Sequence, residues 1–246
     1  MLTKIIGHRG SKGTAPENTL IAFEEALAVG SDGIELDVHL SADGELVVIH
    51  DETVDRTTNG RGFVKDLTVN ELQMLDAGSW FHPRFSGVKI PTLADTLAFL
   101  REKKFRGTLN IELKTDILAY EGIEQKVLAL VDSYTPTFQV VYSSFHYPTI
   151  ERLLSLDNNV DFALLFSEKG REQKYLSNGK SVPAWHPNRK LVRRLIQAKD
   201  DQMPLLRVWT VNRTIEISAL LKQGVDSIIT DYPEKALRLR KMLQGE

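Results

Sequence analysis

Two carboxylates and an imidazole are drawn together by one short stretch, GIELDVHLSADGELVVIHD, which runs from Gly33 to Asp51. Glu35 and Asp37 lie two residues apart in its first apolar run, and His50 closes the second. Between the runs, Asp43-Gly44 supplies the positive φ angles of a two-residue hairpin turn. That turn places Ala42 opposite Glu45 and Asp37 opposite His50. Side chains alternate faces along a strand, so Glu35, Asp37 and His50 are expected on one face. Charge clustered in this way is costly unless it is compensated. A divalent cation is the expected compensation.

The elements that must position these groups follow from the rest of the chain. Apolar runs read as strands at Thr3 to Gly7, from Gly33, and at Leu109 to Lys114, Phe138 to Ser143 and Asp161 to Phe166. Further strands are read at Val182 to Trp185, Leu206 to Thr210 and Ser227 to Thr230. Helices are read between them: one after Asn18, taken as its N-cap and closed by Gly30, then from Thr92, Glu121, Pro148, Lys190, Ile215 and Glu234. A charged connector runs through Gly179. With the return arm Leu46–Ile49 set aside, this is an α/β chain of eight β/α units, the count of a (β/α)8 TIM barrel. Residues 51–90 interrupt the rhythm and read as a small insertion after the second strand, a cap subdomain on a single barrel domain spanning 1–246. Thr68 and Glu71 form its one capping box, and Trp80 to Phe85 is its aromatic end.

A barrel carries its chemistry at the C-terminal ends of its strands. Read in order, those ends are His8-Arg9, Glu35-Asp37, Glu112-Lys114, Ser143-Ser144, Phe166, His186, Trp209-Thr210 and Thr230-Asp231. Glu35, Asp37 and Glu112 therefore converge on one mouth, where they would raise one another's pKa values. Oxygen donors suit one divalent cation, Mg²⁺ or Ca²⁺. Zinc fits less well, because neither cysteine nor a paired-histidine spacing is present. Arg9 and Lys114 beside the acids make a clamp for phosphate, and His8 and His50 supply an acid and a base. The chemistry that needs these parts is phosphodiester cleavage. Asp231-Tyr232-Pro233 is read more plainly, as the N-cap and start of the last helix.

Composition narrows the class. The 246 residues are 42% hydrophobic and 26% charged, with net charge −2 and no cysteine. Nothing is basic enough for a nucleic-acid surface, and disulfides, thiolate metal sites and a cysteine nucleophile are excluded. MLTKIIGHRG has no signal-like apolar region, and no run is long enough to span a bilayer. A cytoplasmic protein without a stable membrane anchor is the expectation.

His8-Arg9-Gly10, Pro16-Glu17-Asn18-Thr19, Glu35-Leu36-Asp37-Val38, His50-Asp51 and Arg56-Thr57-Thr58-Asn59-Gly60 together resemble the glycerophosphodiester phosphodiesterase family. So do Asp76-Ala77-Gly78-Ser79-Trp80, Ile90-Pro91-Thr92-Leu93, Glu112-Leu113-Lys114, Trp209-Thr210-Val211-Asn212 and Thr230-Asp231-Tyr232-Pro233. The resemblance runs from the first strand to the last helix. It implies hydrolysis of small glycerophosphodiesters, such as glycerophosphocholine and glycerophosphoethanolamine, to glycerol 3-phosphate and an alcohol. It also implies Glu35, Asp37 and Glu112 as metal ligands, His8 and His50 as the acid/base pair, and Arg9 and Lys114 on the phosphate. Trp209, at the end of the seventh barrel strand, is expected to line the glycerol side. Phe145-His146 departs locally from what is expected of relatives. Two other readings use the same barrel: a phospholipase-type head-group phosphodiesterase, which needs a docking loop, and a catalytically silent barrel that binds a phosphorylated ligand.

Overall fold

Apolar runs too short to span a core alone must pair, and amphipathic helices between them must cover the resulting sheet. The fold is seen in a computed structural model that describes residues 2–168, 183–197 and 204–245. The chain runs β1 (Lys4–Gly7), α1 (Leu20–Ala28), β2 (Gly33–Leu40), β3 (Leu46–Val48), α2 (Val69–Met74) and α3 (Leu93–Glu102). It continues β4 (Thr108–Leu113), α4 (Ile123–Tyr134), β5 (Gln139–Ser144), α5 (Tyr147–Leu156), β6 (Asp161–Phe166), β7 (Ala184–Pro187) and α6 (Val192–Gln197). β8 (Leu205–Val208), α7 (Thr214–Gln223), β9 (Ser227–Thr230) and α8 (Pro233–Gln244) complete it. β1 pairs in parallel with both β2 and β9, which closes eight parallel strands into a barrel. β3 is an antiparallel arm on β2. The sixth barrel strand was expected from Val182; that residue, and the connector from 169 through Gly179, lie outside the described residues.

Strand alternation sorts the side chains. Leu36, Val38, Leu109, Ile111, Leu113, Phe162, Leu164 and Ile228 belong to the apolar layer shared with the helices. Their neighbours Glu35, Asn110, Glu112, Leu165 and Ile229 line the cavity inside the barrel mouth. Each buried side chain of the outer layer contributes about 1.5–3 kcal/mol relative to exposure. That apolar shell is what keeps charged groups fixed at the strand ends.

Local signals set the helix starts. Thr92 caps α3 in a reciprocal box with Asp95, and Thr68 does the same for α2 with Glu71. The N-cap of α1 is Thr19, whose side chain accepts from the Ala22 amide, one residue beyond the expected Asn18. Asn18 instead adopts a left-handed conformation, φ 57°. Its amide is used elsewhere, as described below.

The hairpin register also differs from expectation by one residue. Val38 pairs with Val48, His39 with Val47 and Leu40 with Leu46. The loop is therefore three residues, 42–44, with Gly44 at φ 79°. Ser41 causes the shift: its backbone N–H donates to Glu45 O (3.0 Å), while its hydroxyl accepts from Glu45 N (2.9 Å) and donates to Asp43 (2.6 Å). Asp37 consequently faces Ile49, whose amide donates to its carbonyl at 3.1 Å. His50 lies beyond the ladder, not across from Asp37.

Residues 51–90 pack their own apolar cluster of Val54, Val64, Leu72, Ala77 and Ile90 onto Val47 and Ile49. Because Ile49 and Val47 pair with Asp37 and His39, this cluster lies on the arm's mouth-facing side. Trp80, Phe81 and Phe85 stack edge to face, and Trp80 Nε1 donates to Ala77 O at 2.9 Å. The aromatic end is thus engaged within the segment itself. Among the described residues no helix is long and apolar enough to cross a membrane.

Candidate active site

β2 and β4 are neighbours in register, with Glu35 beside Asn110 and Asp37 beside Glu112. Alternation turns Glu35, Asp37 and Glu112 to the barrel interior, where one carboxylate oxygen from each lies within 4.8 Å of the others. All three are buried. Burial first, then repulsion from Asp37 and Glu112, pushes the Glu35 carboxyl well up. Glu112 is also raised, by burial above all and by Asp37 against the pull of Lys114. Burial works in the same direction on Asp37, but Arg9, with further help from Asn18, holds its carboxyl far below the usual range. The Asp37 Oδ1 atom is buried without a hydrogen-bond partner. An orphaned carboxylate oxygen beside two acids that resist ionisation fits a hard divalent cation. This acidic cluster is able to hold one.

The loop after β1 braces the acids. Gly10 sits at φ 80°, and a Cβ there would come within 2.5 Å of the Ala22 backbone, so only glycine lets the loop lie against α1. Arg9 donates its backbone N–H to Glu35 at 2.8 Å, and its Nε lies 3.2 Å from Asp37. Asn18 Nδ2 donates to Asp37 Oδ2 at 2.9 Å. Glu17 accepts from Arg9 Nη1 (2.6 Å) and from Arg56 Nη1 and Nη2 (3.0 and 2.7 Å). Much of the Arg9 guanidinium, expected on phosphate, is therefore spent on Glu17 and Asp37. Lys114 Nζ donates to Glu112 at 2.9 Å and stands 3.5 Å from His50 Nε2.

Each imidazole has its own carboxylate. His8 Nδ1 is 2.6 Å from Asp231 Oδ1, and His50 Nδ1 is 2.6 Å from Asp51 Oδ1. A carboxylate that accepts at Nδ1 leaves Nε2 as the nitrogen that exchanges protons. Asp231 is aimed by Asn212, which donates from Nδ2 (2.6 Å) and accepts the Asp231 amide (2.9 Å). Asp51 is aimed by Arg56 Nε at 2.6 Å. Burial, followed by the charge of Arg9, brings His8 down to about 4 against the pull of Asp231.

His8, Arg9, Glu35, His50 and Glu112 share the walls of a cavity of about 190 Å³. Phe145, Leu165, Trp209 and Ile229 form its apolar side. Trp209 meets Phe145 edge to face at 5.4 Å and donates from Nε1 to His186 O at 2.6 Å. The structure thus brings every expected site residue to one mouth, with Asp37 and Lys114 directly behind its lining. Reading the sequence missed Asp231 as a partner of His8, and it missed Glu17, Asn110, Phe145 and Leu165. Asp231 had a usable signal: barrel closure makes the end of the last strand a neighbour of the first.

A closed parallel barrel with acids, two carboxylate-paired histidines and an apolar wall at its strand ends has the layout of a barrel enzyme, whose chemistry sits at that face. The sequence profile of the glycerophosphoryl diester phosphodiesterase family matches residues 8–235. A glycerophosphodiester phosphodiesterase of Caldanaerobacter subterraneus subsp. tengcongensis is 40% identical over 240 residues, covering 97% of this chain and 98% of that protein. One of Bacillus altitudinis is 40% identical over 249 residues, covering 99% and 100%. Among solved structures, an Oleispira antarctica phosphodiesterase in complex with the product sn-glycerol-3-phosphate superposes with TM-score 0.83 at 29% identity, covering 97% of this chain and 96% of that one. The Agrobacterium tumefaciens glycerophosphodiester phosphodiesterase gives TM-score 0.81 at 33% identity, covering 96% and 100%. The chain belongs to the glycerophosphoryl diester phosphodiesterase family. It is a hydrolase of phosphoric diesters.

Proposed function

We propose that this chain hydrolyses glycerophosphodiesters to sn-glycerol 3-phosphate and an alcohol, using a divalent cation, Mg²⁺ or Ca²⁺, and two histidines. The observation that carries this reading is the pair of carboxylate-oriented imidazoles, His8–Asp231 and His50–Asp51, on a cavity walled by the acidic cluster. The product bound in the Oleispira relative supports the same substrate class.

Glu35, Asp37 and Glu112 would hold the cation. When bound, it supplies positive charge that stabilises the developing phosphoryl oxyanions. Lys114, and the part of Arg9 not engaged by Glu17 and Asp37, hold the phosphate. Trp209 and Phe145 take the glycerol carbons. The substrate's C2 hydroxyl lies beside its own phosphorus at high effective concentration, so it is the nucleophile. His8 is unprotonated at neutral pH and takes the C2 proton at Nε2. The C2 oxygen forms its bond to phosphorus as the bond to the alcohol oxygen breaks, and that alkoxide takes a proton from His50 Nε2. A five-membered cyclic phosphate results. Water then gives a proton to His50 and adds to phosphorus, while the C2 oxygen leaves with the proton from His8.

Release of the leaving alcohol from a diester lacking the C2 hydroxyl tests the route. The deoxy substrate should bind without being cleaved at a useful rate, and replacing either histidine should cost more than about a hundredfold. Brisk cleavage of the deoxy diester would show that water attacks directly.

A further inference from the structure

His50 lies beyond the last rung of its hairpin: the ladder ends at the Val38–Val48 pair, and the Ile49 amide makes the final backbone bond to β2. Something other than strand pairing must fix the backbone that carries this imidazole. The side chain that meets it is His39, on β2, fully buried and without a role in the chemistry described above. Its Nε2 lies 3.0 Å from His50 O. A carbonyl only accepts, so His39 donates from Nε2. At the other ring nitrogen, Nδ1, the Tyr120 hydroxyl stands at 2.9 Å, and the two rings meet edge to face at 5.6 Å.

We propose that His39 is a positioning residue for His50, holding its carbonyl from β2 while Tyr120 fixes the His39 ring. This rests on the reading of His50 as an acid/base group. The side chain of His39 replaces the missing rung. Tyr120 belongs to the loop that leads from Lys114 into α4, so the contact ties three segments together: β2 with the acids, the arm with His50, and the loop that begins at Lys114. A buried histidine with both nitrogens satisfied costs little in place, whereas an apolar replacement would leave the His50 carbonyl unpaired.

Two substitutions separate position from mere polarity. His39→Gln puts an amide N–H close to where Nε2 stands; His39→Asn is too short and reaches only the Nδ1 position. We expect His39→Asn to lower kcat about tenfold, with KM within twofold and Mg²⁺ affinity by calorimetry unchanged. His39→Gln should restore most of kcat. Combined with His50→Ala, His39→Asn should cost nothing further, because the two changes act through one group. Tyr120→Phe, which removes a single oxygen, should lower kcat by a few fold and serves if His39→Asn fails to fold. The proposal is overturned if His39→Asn and Tyr120→Phe keep full kcat while His50→Ala loses it. An equal loss from His39→Asn in the His50→Ala background would overturn it too. Full activity in His50→Ala itself would instead remove the functional reading beneath it.

Discussion

Asp231 decides which nitrogen of His8 is free for proton transfer. Its Oδ1 accepts from Nδ1, while Asn212 occupies Oδ2, so the carboxylate cannot turn away. Asp231→Asn would present an amide that donates as readily as it accepts, and the tautomer would no longer be fixed. Its kcat should fall by at least about a hundredfold with the fold intact; a variant with undiminished kcat would take Asp231 out of the mechanism. Arg9 carries a different lesson. Its guanidinium spans Glu17 and Asp37 at once, a geometry that a single ammonium cannot reproduce. Arg9→Lys should therefore lower kcat/KM about tenfold or more, and unchanged kcat/KM would exclude Arg9 from the site. The acids were legible from residue type and spacing alone. The groups that brace Arg9 and Asp37 were not, because Glu17 and Asn18 read as the start of a helix.

At the level of elements, the hairpin shows what a sequence pattern can and cannot carry. The Asp43-Gly44 signal marked the turn correctly, yet Ser41 closed the loop one residue earlier and moved the register. A one-residue slip reverses faces in a regular strand. His50 still reaches the cavity because it has left the ladder. The 51–90 segment was legible as an interruption and through its Thr68–Glu71 box. Its bridge to the site, Arg56 between Asp51 and Glu17, depends on tertiary proximity that no local pattern records. That bridge has a pH signature. Burial favours protonation of Glu17, but hydrogen bonds from Arg56 and the charge of Arg9 bring it down to about 2. A lowered carboxylate stabilises the fold above its unfolded pKa, near 4.5, and that contribution fades as pH falls from there toward 2. Urea titrations should show it as a loss on the order of 3 kcal/mol across this window. In Glu17→Gln the acid limb should be flatter; an identical pH profile would show that the bridge is not linked to folding.

For the whole molecule, closure is what converts scattered motifs into a site. β1 lies between β2 and β9, so His8 at one end of the chain meets Asp231 near the other. Strand and helix alternation made the barrel legible, because parallel strands buried on both faces leave few other architectures open. The apolar wall was only partly legible. Trp209 stood at a strand end, but Phe145 read only as a local departure from relatives and Leu165 only as part of a strand, and the curved barrel brings both onto the same cavity. The account as a whole stands on the three carboxylates that β2 and β4 hold together. Its most direct test is glycerol 3-phosphate release from glycerophosphocholine before and after complete chelation. Turnover should vanish with chelator and return with Mg²⁺ or Ca²⁺, and Glu112→Gln should need more cation for half-maximal rate while melting as a folded protein. Full turnover in excess chelator would contradict the account.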